Sequence, residues 1–126
     1  NPYPTLSRHI IETVIGDSVD EDLSCEEILA ELQKSYVPFF IIPDRQRAKR
    51  CERRWRDLLG DNVLCLESPA EVCFAAAGAI LLCESRVSSL TELAETLEKT
   101  GLTGELKNSV IRSLTPFAEV IFNRSL

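Results

Sequence analysis

Apolar and polar positions along the chain fall into short segments with two different periods. In TLSRHIIETVIG, Leu6, Ile10, Ile11 and Val14 sit near helical spacing, which predicts a first helix. The acidic stretch DSVDEDLS follows. Ser24 then stands as an N-cap with Glu27 three residues on, a capping-box spacing, and Ile28, Leu29 and Leu32 form the apolar stripe of EEILAELQKSY. VPFFIIP breaks the helical period. A continuous apolar run of aromatic and β-branched residues predicts a fully buried strand, with Pro38 tolerated only near its start.

Asp44 can cap the next helix, RQRAKRCERRWRDLL, which Gly60 ends, and residues 63–66 of DNVLCLES make a second short apolar run. Ser68-Pro69-Ala70-Glu71 combines a cap, a proline at the first position and a glutamate at the third, a strong helix start for AEVCFAAAGAILLCE. That helix is so apolar that most of its surface should be covered, and its alanines and Gly78 allow a neighbour to approach closely. Ser89 and Glu92 repeat the capping signal before LTELAETLEKTG, and GELKNSVIRSLTPFAEVIF reads as a helix interrupted or kinked near Pro116.

The predicted order is therefore helix, helix, strand, helix, strand, helix, helix, helix. Two buried strands joined through a helix make a βαβ unit with parallel strands, so the fold class is α/β. Two strands alone make a poor sheet, which requires either an N-terminal portion beyond Asn1 or a partner to supply more. The segment at 85–89 is the best boundary between the α/β part and a helical tail.

Composition bounds the rest. At 126 residues with 44% hydrophobic content the chain is one domain at most and can bury a core. It contains no methionine and starts at Asn1, which reads as a fragment of a longer protein. The five cysteines, Cys25, Cys51, Cys65, Cys73 and Cys83, are odd in number, lack CxxC spacing and lie in or beside apolar patterns. Buried thiols of a reducing compartment fit that pattern better than a disulfide framework. The longest apolar stretch, VCFAAAGAILLC, is too short to span a bilayer, and no signal peptide is present, so a cytoplasmic location is expected.

Charge is unevenly placed. Residues 45–56 hold seven basic residues and one acidic one, in a chain of net charge -6. On a helix, Ala48, Cys51, Trp55, Leu58 and Leu59 form an inward stripe, and the arginines are what remains outside it. Glu52 can pair with Arg56 at i,i+4. The outer residues Arg47, Lys49, Arg50, Arg53, Arg54 and Arg56 form either an ordinary solvated face or a candidate docking surface for an acidic partner. Nucleic acid is disfavoured: the remaining 19 acidic and seven basic residues repel a phosphate backbone, and no recognition motif or aromatic platform accompanies the helix.

Catalytic chemistry finds no support. His9 is the sole histidine and lies in a helical apolar pattern, no serine sits in GxSxG, and the glycines form no phosphate-cradling motif. The acidic run Asp17, Asp20, Glu21 and Asp22 lacks the ligand alternation of a calcium loop. No catalytic, cofactor-binding or metal-binding residue is assigned, and a non-enzymatic protein is expected.

EEILAELQKSYVPFFIIP, the arginine-rich helix ending RWRDLLG, and DNVLCLESPAEVCFAAAGAIL together resemble the C-terminal half of bacterial von Willebrand factor type A-like (VWA-like) domains. There a buried strand ending in proline leads to a helix with this ending, then to a last strand and a helix opened by a Ser/Asp-Pro pattern. The resemblance covers roughly residues 25–84 and implies a partial Rossmann-like sheet. Residues 1–84 would be the C-terminal part of that domain and 85–126 a helical extension packed on it. Members act as protein-binding or assembly modules, and many bind Mg²⁺ through an Asp-x-Ser-x-Ser loop. This chain has no such loop; Asp22-Leu23-Ser24 is followed by Cys25-Glu26, so Mg²⁺ is implied only for the full-length parent protein. The implied function is a protein-interaction scaffold, with a protein partner or the upstream half of the same protein as its contact and no membrane. The alternative is a regulatory helical domain whose basic helix 45–56 contacts nucleic acid or an acidic partner.

Overall fold

The computed structural model describes Thr5–Leu6 and residues 23–124. The chain divides into two compact units, with the division between Pro38 and Phe39.

In the first unit, β1 (Thr5–Leu6) pairs antiparallel with β2 (Leu23–Ser24), and α1 (Cys25–Gln33) follows directly. Thr5 and Leu6 thus lie in a strand, where the apolar spacing predicted the start of a helix. The reason is tertiary: a bridge to a segment 18 residues on overrides a local period of only a few residues. The rest of that predicted helix, with His9, lies outside the described residues, as does the acidic run 17–22. Ser24 caps α1 as its spacing predicts, its Oγ accepting from the backbone N–H of Glu27 at 3.2 Å. No residue of α1 is fully buried, and Leu32, Tyr36 and Val37 are exposed.

The second unit holds β3 (Phe40–Ile42), α2 (Arg45–Leu59), β4 (Val63–Cys65), a 3-10 turn (Pro69–Glu71), α3 (Val72–Cys83), α4 (Leu90–Glu98) and α5 (Gly104–Arg124). β3 and β4 pair in parallel, with Phe40 opposite Val63 and Ile42 opposite Cys65. The ladder continues outward, Phe40 N–H donating to Asn62 O at 3.0 Å and Leu66 N–H to Ile42 O at 2.9 Å. Among the described residues no further strand joins this pair. The fold is mixed helix and strand with a two-strand parallel sheet.

Alternation along the strands sorts their side chains between two layers. Phe39, Ile41, Leu64 and Leu66 join the main core with α3, α4 and α5, where Phe39 meets Phe117 edge-on with ring centroids 4.9 Å apart. The opposite face carries Phe40, which stacks on Trp55 of α2. Both faces of the pair are covered, which is why the strands read as unbroken apolar runs.

The main core centres on Leu82, Leu93, Leu97, Leu102, Val110 and Leu114, all 1% exposed or less. Each such side chain stabilises the fold by about 1.5–3 kcal/mol through area removed from water. Gly78 lets α5 come close to α3, because a Cβ there would overlap Cδ1 of Leu114. α3 ends with Ser85 in the left-handed region at φ 55°, and Arg86 N–H donates back to Leu81 O at 2.9 Å. α5 runs uninterrupted through Pro116, where the sequence predicts a break or kink. Phe117 and Ala118 on its far side are buried, and their packing holds the turn that proline deprives of one hydrogen bond.

One expectation about burial is overturned and another is refined. Cys65 is buried, but Cys25 and Cys51 are half-buried and Cys73 and Cys83 are exposed. α3 is not covered all round either: Ala75, Gly78, Ala79 and Leu82 are buried, while Ile80 is 62% exposed. The remainder of the unit has enough apolar surface to cover one side of this helix, and the other side stays in water.

Candidate docking face on the basic helix

The basic helix is fixed at both ends by local chemistry. Asp44, in extended conformation, caps α2 by accepting from Arg47 N–H at 2.8 Å, and Gly60 at φ 62° closes it. The first turn of α2 contains no acidic residue but two arginines, which the positive end of the helix dipole disfavours. Tertiary contacts offset this. Arg45 donates through Nε to Glu67 Oε1 at 2.8 Å, reaching from the start of α2 to the loop after β4, and locally Arg47 lies 3.5 Å from Asp44 Oδ2.

The inner face differs from the predicted stripe in detail. Ala48 and Leu59 are buried; Cys51, Trp55 and Leu58 are half-buried. Glu52 and Arg56, also half-buried, form the predicted i,i+4 pair with Nε 2.8 Å from Oε2. This pair lies beside the Cys65 thiol of β4. The hydrogen bond from Arg56 holds the Glu52 carboxyl below its usual range, against desolvation. Burial, followed by the Glu52 carboxylate, pushes the Cys65 thiol up, so this cysteine is not an activated nucleophile.

Of the six predicted docking residues, Arg47 and Arg56 are therefore drawn into pairs with acidic neighbours on their own helix or its cap. Arg54 is exposed and makes an interaction of its own. Lys49, Arg50 and Arg53 are exposed and have no ion-pair partner among the described residues. Lys49 and Arg53 border a shallow groove along α2 whose other walls are Ala48, Glu52, Arg56 and Asp57. The groove is open and mixed in charge, suited to a surface contact rather than to enclosing a small molecule.

A second polar feature escaped the charge pattern. Glu71 is 1% exposed, and its Oε2 accepts from the backbone N–H groups of Glu67 at 3.0 Å and Ser68 at 2.8 Å. The capping-box spacing predicted its contact with Ser68 but not its burial. It fixes the loop that presents Glu67 to Arg45, while its Oε1 has no hydrogen-bond partner. Among the described residues no group of three or more His, Cys, Asp or Glu side chains could hold a metal, and no helix is long and apolar enough to cross a membrane. Searches of protein families, of curated proteins and of solved structures each return no match to this chain.

Proposed function

We propose that this chain is a non-enzymatic protein-interaction module, the C-terminal part of a VWA-like domain, that docks an acidic surface through the outer face of α2. The acidic surface belongs to a protein partner or to the upstream half of the same parent protein. The observation that carries this reading is the exposed trio Lys49, Arg50 and Arg53, without ion-pair partners among the described residues, on a helix whose other face is anchored to a parallel strand pair. Cations held on a rigid element, and not neutralised by their neighbours, favour and orient an acidic partner. The β3-α2-β4 unit is common to many α/β folds; in the VWA-like part of the reading, further strands extend the sheet and any Mg²⁺ is held upstream.

The test is titration of the chain with a glutamate-rich peptide and, separately, with duplex DNA, at about physiological salt where exposed charges act over roughly 8 Å. Binding of the peptide alone, abolished by the triple change Lys49→Glu, Arg50→Glu and Arg53→Glu, is the expected result. Micromolar DNA binding lost in the same variant would transfer the face to nucleic acid. Binding of neither probe would remove the docking role.

A further inference from the structure

Along the groove on α2, Lys49, Arg53 and Asp57 follow one another at intervals of four residues. That spacing sets them in one inclined row about 12 Å long on a single side of the helix. All three are exposed, and none has an ion-pair partner among the described residues. From the N-terminal to the C-terminal end the row reads cation, cation, anion. We propose that it docks an α-helix of a partner protein, one that carries two carboxylates four residues apart and a cation four residues further on and lies parallel to α2. The inference rests on the acidic docking proposed above and adds the partner's secondary structure, charge spacing and direction.

The order of these charges does not serve α2 itself. Asp57 lies in its last turn, where the helix dipole disfavours an anion. Arg53 precedes Asp57 in the weaker order for an i,i+4 pair, and the two make no ion pair. Glu52 and Arg56, one position earlier, have the favoured order and do pair. The row beside them leaves its charges to be matched from outside.

Matching cation, cation, anion in the same direction requires acid, acid, base. On a helix this is the order that helix formation favours, with carboxylates towards the N-terminus and the cation towards the C-terminus. The rise of about 6 Å over four residues is the same in both helices, so the three pairs stay in step. An extended segment fits less well. Its backbone N–H and C=O groups would need partners, and those of α2 along the groove are already bonded within the helix. A helix arrives with its own backbone satisfied. A uniformly acidic surface would set a carboxylate against Asp57.

The test uses helical peptides of about 20 residues, long enough to hold the conformation, titrated into the chain at about 0.05 M salt to limit screening. The first carries Glu, Glu and Lys at successive intervals of four. The second has the same composition with the three charges on different faces, and the third replaces the Lys of the first by Glu. The first is expected to bind more tightly than the other two. Asp57→Lys should weaken the first by about fivefold, the scale of exchanging an exposed attraction for a repulsion, and strengthen the third by a similar factor. That exchange also reports direction, because it places the third charge of the peptide opposite residue 57. An unchanged thermal midpoint shows that the variant keeps its fold. Equal binding of the first two peptides, or indifference of the first and third to Asp57→Lys, would overturn the inference and leave general acidic docking in place. Binding of none of the three would overturn both.

Discussion

The indole of Trp55 lies flat on the ring of Phe40, their centroids 3.8 Å apart and their planes 11° from parallel. This contact joins α2 to β3 and sets which face of the arginine-rich helix turns outward. Replacing Trp55 by leucine should cost about 1–3 kcal/mol, less than loss of a fully buried aromatic because Trp55 is half-buried. A double-mutant cycle with Phe40→Leu, read by urea unfolding, should give a coupling of about 0.5–1.5 kcal/mol. A coupling near zero would mean that the stack does not hold the helix.

Gly78 and Leu114 make the closest approach between α3 and α5. Alanine is the better helix former by about 1 kcal/mol, yet Gly78→Ala should lower stability by about 1–3 kcal/mol. The added methyl meets a leucine that is 0% exposed and has nowhere to turn. Thermal unfolding decides the sign. Pairing the change with Leu114→Val, which removes atoms at the clash, should recover part of the loss.

Acid should weaken the fold through two carboxylates. Glu92 is held below its usual range by the backbone N–H of Ser88 and then by that residue's hydroxyl, and Glu52 by the hydrogen bond from Arg56. A carboxyl with a depressed folded pKa binds fewer protons in the native state than in the unfolded one. Its contribution is present above the unfolded pKa and disappears as pH falls through the folded value. The thermal midpoint of Glu92→Gln should therefore fall less between neutral pH and acid than that of the parent chain. Parallel curves would show that the cap has no electrostatic part.

Thiol reactivity should follow burial. A water-soluble maleimide at neutral pH should modify Cys73 and Cys83 in the native protein. Cys65 is protected twice: it is 8% exposed, and burial raises its pKa. Its labelling should be at least about 100-fold slower than that of Cys73, because it must await opening of the fold. Mass spectrometry of peptides after timed quenching measures this, and equal rates would contradict the packing of β4 against α2.

Much of the local structure was legible because caps act over three or four residues. Ser24, Asp44 and Ser89 each bond the predicted backbone N–H, and Gly60 ends its helix. Unbroken apolar runs correctly marked both strands of the parallel pair. Hydrophobicity alone was a poorer guide to exposure. α3 is apolar on every side, so its composition could not tell the side facing α5 from the side left in water. The arginines were equally ambiguous: Arg50 and Arg53 differ from Arg56 in surroundings rather than in residue type.

The sequence by itself determined where the capped helices begin and which two apolar runs form the parallel strands, since those signals are hydrogen bonds and periods within a few neighbouring residues. It also determined that residues 45–56 present a charged face, because the apolar stripe leaves the arginines nowhere else to point. Only the tertiary structure decided that Thr5 and Leu6 join a strand, that Glu67 reaches Arg45, and that Cys73, Ile80 and Cys83 stay in water. Those outcomes depend on contacts between segments distant in the chain, and on which surfaces remain uncovered once the core is filled.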